Sequence, residues 1–306
     1  MQVRRPDEGR FADLPDFPWE PAYAEVPDGD GGTLRMAYVD AGPADAPVVL
    51  LLHGEPTWSF LYRHVIRELV DAGLRAVAPD LVGFGRSDQP TEVTDHSFAR
   101  HVQWLRALAL DHLELDDVTL VGQDWGGLIG LRLVAENPDR FARVVAANTG
   151  LPTGDFDMPA EWWEFRNAVE RADTLDIGRL VAAGCVRGLD DAVRSAYDAP
   201  FADEAAKTGP RAMPLLVPTR PDDPAAEANR AAWEVLTHWD KPFLTAFSDG
   251  DPITGGMAPI LRKLVPGAVG LDHPVVTHAG HFLQEDAGDE LGRIVAAFVT
   301  RDSSAV

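Results

Sequence analysis

The sequence predicts an α/β protein: a mostly parallel sheet flanked by helices, with an inserted helical cap. Three observations carry this expectation. Short apolar runs alternate with amphipathic segments through the first half of the chain. From about residue 150 to 230 that rhythm gives way to prolines and short helical patterns. It resumes at Phe243-Leu244-Thr245-Ala246-Phe247.

Taken in order, Thr33 to Asp40 alternates with period two, as an antiparallel strand on the edge of such a sheet does. Val48 to Leu52, Arg75 to Ala78, Val118 to Val121 and Val144 to Ala147 are short apolar runs. Runs of this kind suit parallel strands buried on both faces. Leu61 to Ala72 and Phe98 to Leu113 are amphipathic connectors, and Trp125 to Glu136 reads as a helix. In the irregular stretch, Glu161 to Val169 and Asp176 to Ala183 carry helical patterns, and no strand is expected. Leu291 to Val299 reads as a closing helix. The expected division is a core of residues 1–150 and 231–306 around a cap of 151–230, with no internal repeat.

The 306 residues are 45% hydrophobic, enough for one large domain or a domain carrying an insertion. Acidic residues outnumber basic ones 49 to 27, a net charge of -22. Phosphate backbones and anionic membrane surfaces repel such a chain, so neither is an expected partner. One cysteine, Cys185, rules out an intrachain disulfide framework and fits a reducing cytoplasm. The basic residues near Met1 are followed by no apolar run, so no secretion signal is read there. No stretch approaches the ~18 apolar residues of a membrane span. A cytoplasmic protein, monomeric or homodimeric, is the expectation.

The most informative segment is Gly122-Gln123-Asp124-Trp125-Gly126-Gly127, directly after an apolar strand. It has the shape of a nucleophile elbow, G-x-S-x-G, with Asp124 in the serine position. A carboxylate is already ionised at neutral pH. It displaces leaving groups from saturated carbon and is left as an alkyl ester. Read alone, Asp124 is also an ordinary helix N-cap.

The rest of the chain decides. Hydrolysing an ester requires a histidine to activate water and an acid to orient it, in the chain order nucleophile, acid, histidine. Asp251 follows the strand ending at Phe247, and His281 lies in His278-Ala279-Gly280-His281-Phe282. Asp249 and His278 compete for these places, Asp249 having a plainer reading as a turn residue beside Gly250. His53-Gly54-Glu55-Pro56 matches the H-G-x-P form, which supplies one backbone N–H of an oxyanion hole. The residue after the nucleophile supplies the other. Here those residues are Glu55 and Trp125.

Together His53 to Trp58, Ala78 to Asp88, Gln123 to Gly127 and Ala279 to Glu285 resemble the haloalkane dehalogenases of the α/β-hydrolase superfamily. The resemblance runs from about Leu14 to Phe298 and is weakest in the cap. It implies hydrolysis of apolar halogenated substrates to alcohol, halide and proton, with no cofactor and no metal. Trp125 would hold the halide through its indole N–H. In one group of these enzymes an Asn stands where this chain has Glu55, and in the other a cap tryptophan gives the second halide contact. The adjacent Trp162 and Trp163 are the candidates here, and Trp163 is taken first on spacing. Fluoroacetate dehalogenases place Arg after the nucleophile, unlike Trp125. Epoxide hydrolases use two cap tyrosines, and of four tyrosines only Tyr197 falls in the expected cap. Epoxide hydrolysis and a non-catalytic binding role are the alternatives.

Overall fold

A computed structural model describes residues 1–301. Strand β1 (Val3–Arg4) is a short arm. Strands β2 (Ala22–Pro27), β3 (Thr33–Ala41), β4 (Val48–Leu52) and β5 (Arg75–Pro79) follow, with helix α1 (Arg63–Asp71) between the last two. Then come β6 (Gln89–Pro90), α2 (Phe98–Arg106), β7 (Val118–Gln123), α3 (Trp125–Glu136) and β8 (Phe141–Ala147). Four helices are inserted next: α4 (Ala160–Arg171), α5 (Ile177–Ala183), α6 (Asp191–Asp198) and α7 (Thr208–Leu216). The chain finishes with α8 (Ala226–Leu236), β9 (Phe243–Thr245), β10 (Phe247–Ser248), α9 (Met257–Leu264), β11 (Val275–Val276) and α10 (Leu283–Thr300).

The main sheet has the order β2-β3-β5-β4-β7-β8-β9. Strands β5, β4, β7, β8 and β9 run parallel to one another, and β3 pairs antiparallel with both β2 and β5. Every residue of β4 and β7 is buried, which is why those strands read as unbroken apolar runs. Strand β3 is expected at the edge, but β2 covers it. The hairpin between them turns on Asp28, whose carboxylate accepts from Asp30 N at 2.7 Å and Gly32 N at 2.8 Å. β2 escapes the sequence because Tyr23, Glu25 and Pro27 interrupt an alternation that only Ala24 and Val26 carry inward.

From β4 the chain winds outward to β5, then crosses back to β7 on the other side of β4. The loops leaving the carboxyl ends of β4 and β7 therefore diverge and open a crevice. Leu52 pairs with Gly122, so the loop holding Glu55 and the elbow holding Asp124 begin at one level. Helix α1 packs along α10, while α3 packs against α2 and α8.

The cap helices begin on caps of their own: Asp176 accepts from Arg179 N and Asp190 from Val193 N, both at 2.8 Å. Helix α6 is pinned to the core by Trp58 Nε1, which donates to Ala196 O at 3.1 Å, and by Arg10 and Gln89, which donate to Ala199 O and Pro200 O. The expected boundary at residue 231 falls inside α8. That helix is tied to the core along its length, with Arg132 donating to Asn229 Oδ1 at 2.9 Å. Among the described residues no helix is long and apolar enough to cross a membrane.

Candidate active site

Asp124 stands where β7 ends and α3 begins, at φ 49 and ψ -126. A positive φ is strained for a residue with a side chain. The strain persists because the surroundings fix the turn: Asp124 N donates to Asn148 O at 3.0 Å, and Thr149 Oγ1 donates to Asp124 O at 2.8 Å. The neighbouring glycines are steric necessities. A Cβ on Gly126 would lie 2.0 Å from Leu52 O, and one on Gly54 would lie 2.3 Å from Asp124 Oδ1. The elbow can close on the β4 loop only if both are glycine.

That closure brings Glu55 N to donate to Asp124 Oδ1 at 2.8 Å. The other carboxylate oxygen, Oδ2, lies 3.5 Å from His281 Nε2. On the far side of the ring, His281 Nδ1 donates to Asp251 Oδ2 at 3.1 Å. Asp251 is itself held by Ile253 N at 2.9 Å and by the Thr254 hydroxyl. Asp124, His281 and Asp251 thus form a continuous line. Asp249 and His278 stand outside it, with Asp249 accepting from Ala279 N in the loop that presents His281.

The electrostatics follow from this packing. Burial opposes charge on His281, but hydrogen bonds to Asp124 and Asp251 outweigh it and raise the ring to about 10. Burial likewise opposes ionisation of Asp251, yet the bonds from His281 and Thr254 hold it below the usual carboxylate range. The Glu55 carboxyl is pushed well above that range, first by burial and then by the charge of Asp124. Its Oε1 is buried with no hydrogen-bond partner among the described residues.

Trp125 is buried, with its ring centroid 5.1 Å from that of Phe98. Its indole N–H makes no hydrogen bond to any described residue. Burial ranks the cap pair in the opposite order to the spacing argument: Trp162 is 6% exposed and Trp163 39% exposed. Consecutive helical residues point about 100° apart, and here it is Trp162 that turns inward. Tyr197, the cap tyrosine, donates its hydroxyl to Glu285, which also takes Arg63 Nη2 at 2.7 Å.

Several positioning residues escaped the sequence reading. Asn148 Nδ2 donates to Ser248 Oγ, Gly280 O and His281 O at 2.8 to 3.0 Å, tying the histidine loop to the end of β8. Asp286 accepts from Gly280 N, Val186 N and Arg187 N, each at 2.8 Å. Gln123 contacts the catalytic ring directly. A polar residue immediately beyond an apolar parallel strand, as Asn148 is, was the available signal.

An aspartate on a strand-to-helix elbow, faced by a histidine and a second acid, is the arrangement of an α/β-type hydrolase. A family model described as alpha/beta hydrolase fold matches residues 47–288. The chain is 50% identical to a haloalkane dehalogenase of Psychrobacter cryohalolentis, covering 98% of each, and 49% identical to one of Mycolicibacterium paratuberculosis, covering 97% and 98%. Among solved structures it is similar to the tetrameric haloalkane dehalogenase DpaA from Paraglaciecola agarilytica NO2, with a TM-score of 0.88, 35% identity and 96% and 97% of the two chains covered. The chain belongs to the haloalkane dehalogenases.

Proposed function

We infer that the chain hydrolyses haloalkanes to alcohol, halide and proton through an ester on Asp124. The observation that carries this is the line from Asp124 through His281, 3.5 Å away, to Asp251, which His281 hydrogen-bonds, set on a strand-to-helix elbow. In the first step Asp124 Oδ2 attacks the halogen-bearing carbon and the carbon–halogen bond breaks. Oδ1 is already engaged by Glu55 N, so Oδ2 is the oxygen left to react. Trp125 offers its unspent N–H to the departing halide. The second donor is assigned to Trp162 on its burial, with Trp163 as the alternative. In the second step His281 takes a proton from water, which attacks the ester carbonyl. Backbone N–H groups of Glu55 and Trp125 hold the oxyanion.

Ester formation also prepares the base. While Asp124 is charged it raises the affinity of His281 for a proton; the ester carries no charge, so that contribution vanishes. The ring then sheds its extra proton and can accept one from water. Burial opposes ionisation of Glu55, which disfavours a second negative charge beside Asp124.

The epoxide-hydrolase alternative loses support here, because the hydroxyl of Tyr197 is spent on Glu285 inside the cap–core contact. We place the cap at residues 151–225, since a boundary at 231 would cut α8. The test is bromide release from 1-bromobutane or 1,2-dibromoethane at neutral pH. The chain is expected to release bromide catalytically and its Asp124→Ala variant to lose the activity. Equal release by the variant would overturn the assignment.

A further inference from the structure

Gln123 is the last residue of β7 and is fully buried. Its carboxamide nitrogen lies 3.1 Å from the carbonyl oxygen of His281 and 3.2 Å from His281 Nε2. A carbonyl oxygen only accepts, so the first contact fixes the N–H end of the amide toward the histidine. The same NH2 group therefore presents its other hydrogen to Nε2, and the ring can receive it only through its lone pair. Asp124 Oδ2, 3.5 Å from the same nitrogen, makes the opposite demand: it favours a proton on Nε2. Nδ1 takes no part in this contest, because its hydrogen is committed to Asp251. Glu55 is a further ionisable group coupled to the ring, and on the cap side Gly184 lies close to His281.

We propose that Gln123 is a positioning residue for ester hydrolysis: once Asp124 is alkylated, its N–H keeps Nε2 of His281 as an acceptor, ready for water. This rests on the aspartyl-ester reading above. Alkylation removes the carboxylate demand and leaves the amide demand unopposed. At 3.2 Å, and shared with a better-placed carbonyl, the amide contact is weak enough for the water O–H to displace it. The water oxygen then bonds to the ester carbonyl carbon while one water proton passes to Nε2. Collapse breaks the bond to the alkoxy oxygen, which leaves as alcohol with that proton. The second water proton is lost as the carboxylate of Asp124 re-forms.

Two variants test this with 1-bromobutane: Gln123→Glu, which replaces the donor with an acceptor, and Gln123→Met, which removes it at similar volume. Each is expected to give a burst of one bromide per active site at a rate within about threefold of wild type. Steady turnover should then slow by about tenfold or more, the span of a misplaced general base. The alkyl mass should accumulate on Asp124, and the acid limb of kcat should move to higher pH, further for Gln123→Glu. Unchanged turnover with no adduct overturns the proposal, as does a burst that slows in step with turnover. A wild-type protein that releases no bromide strikes the dehalogenase reading instead. Should neither variant fold, the ring 15N resonances of His281 in Asp124→Asn, where the charge is absent as in the ester, give the same answer. A neutral ring with an acceptor Nε2 at pH 7 supports the role, and a doubly protonated ring overturns it.

Discussion

Two carboxyl groups, those of Asp124 and Glu55, meet at the elbow in different surroundings. Asp124 receives the N–H of Glu55 on one carboxylate oxygen and faces His281 with the other. Glu55 is enclosed with no partner for Oε1 among the described residues, and burial, then the charge of Asp124, opposes ionisation of its carboxyl. The division of labour gives a direct test of His281. With Gln in its place, alkylation should proceed once per active site and then stop, leaving the alkyl mass on Asp124; full turnover without an adduct would remove His281 from the mechanism. The tryptophans give another. A hydrogen bond to a charged group is worth about 1.5–3 kcal/mol, so Trp162→Phe should lower kcat/KM for a bromoalkane by about ten- to a hundredfold. Trp163→Phe, turned to solvent, should stay within about threefold; the reverse order would return the role to Trp163. Asp124, Asp251 and His281 could be read from the sequence because each sits at a fixed place after a strand. The facing of Trp162 could not, since adjacent helical residues are distinguished only by what the helix packs against.

At the scale of elements, legibility follows burial. Strands β4, β7 and β8 announce themselves because both faces are covered, and α3 because it opens on the elbow. Helices α6, α7 and α8 were not read, since short cap helices share their apolar positions among several neighbours and show no single stripe. α7 even carries Pro214 within it. Besides the bonds from Trp58, Arg10 and Gln89, a contact between three elements holds this part in place: Arg63 of α1, Glu285 of α10 and Tyr197 of α6. Arg63 and Glu285 are almost completely buried, at 4% and 3% side-chain exposure. Breaking one partner of such a pair strands the other charge and costs about 3–5 kcal/mol. Arg63→Met should therefore lower Tm by several degrees and speed amide exchange along α6. An unchanged melt would show that the cap is held elsewhere.

For the whole molecule, buried histidines that the chemistry does not use weigh on the acid side of the stability curve. His53, His96 and His101 are enclosed, and burial lowers all three, His53 and His96 to about 4. His96 and His101 stack on each other, with Nδ1 of the first 3.1 Å from Nε2 of the second. Each takes up a proton more readily when unfolded, at about 6.5, than when folded. Their neutral burial therefore costs nothing above that pH, and stability falls as the pH drops from 6.5 toward 4. His281 works in the other direction: its raised affinity contributes stability below 6.5 that is lost as the pH rises toward 10. Thermal melts from pH 4 to 8 should show Tm falling below about 6.5. Replacing His96 and His101 together with apolar residues should flatten that fall, and an unaltered acid slope would assign it to other groups.

The inserted helices α4 to α7 occupy one unbroken stretch of chain, and Asp124, Asp251 and His281 all lie outside it. The inserted helices and the Asp124–His281–Asp251 line are thus written in separate passages of the gene. Mutation, or exchange of the whole stretch between lineages, can revise those helices while Asp124, Asp251 and His281 are inherited intact. The seams constrain such an exchange: the new segment must still meet Glu285, as Tyr197 does, and the Trp58 indole, as Ala196 O does.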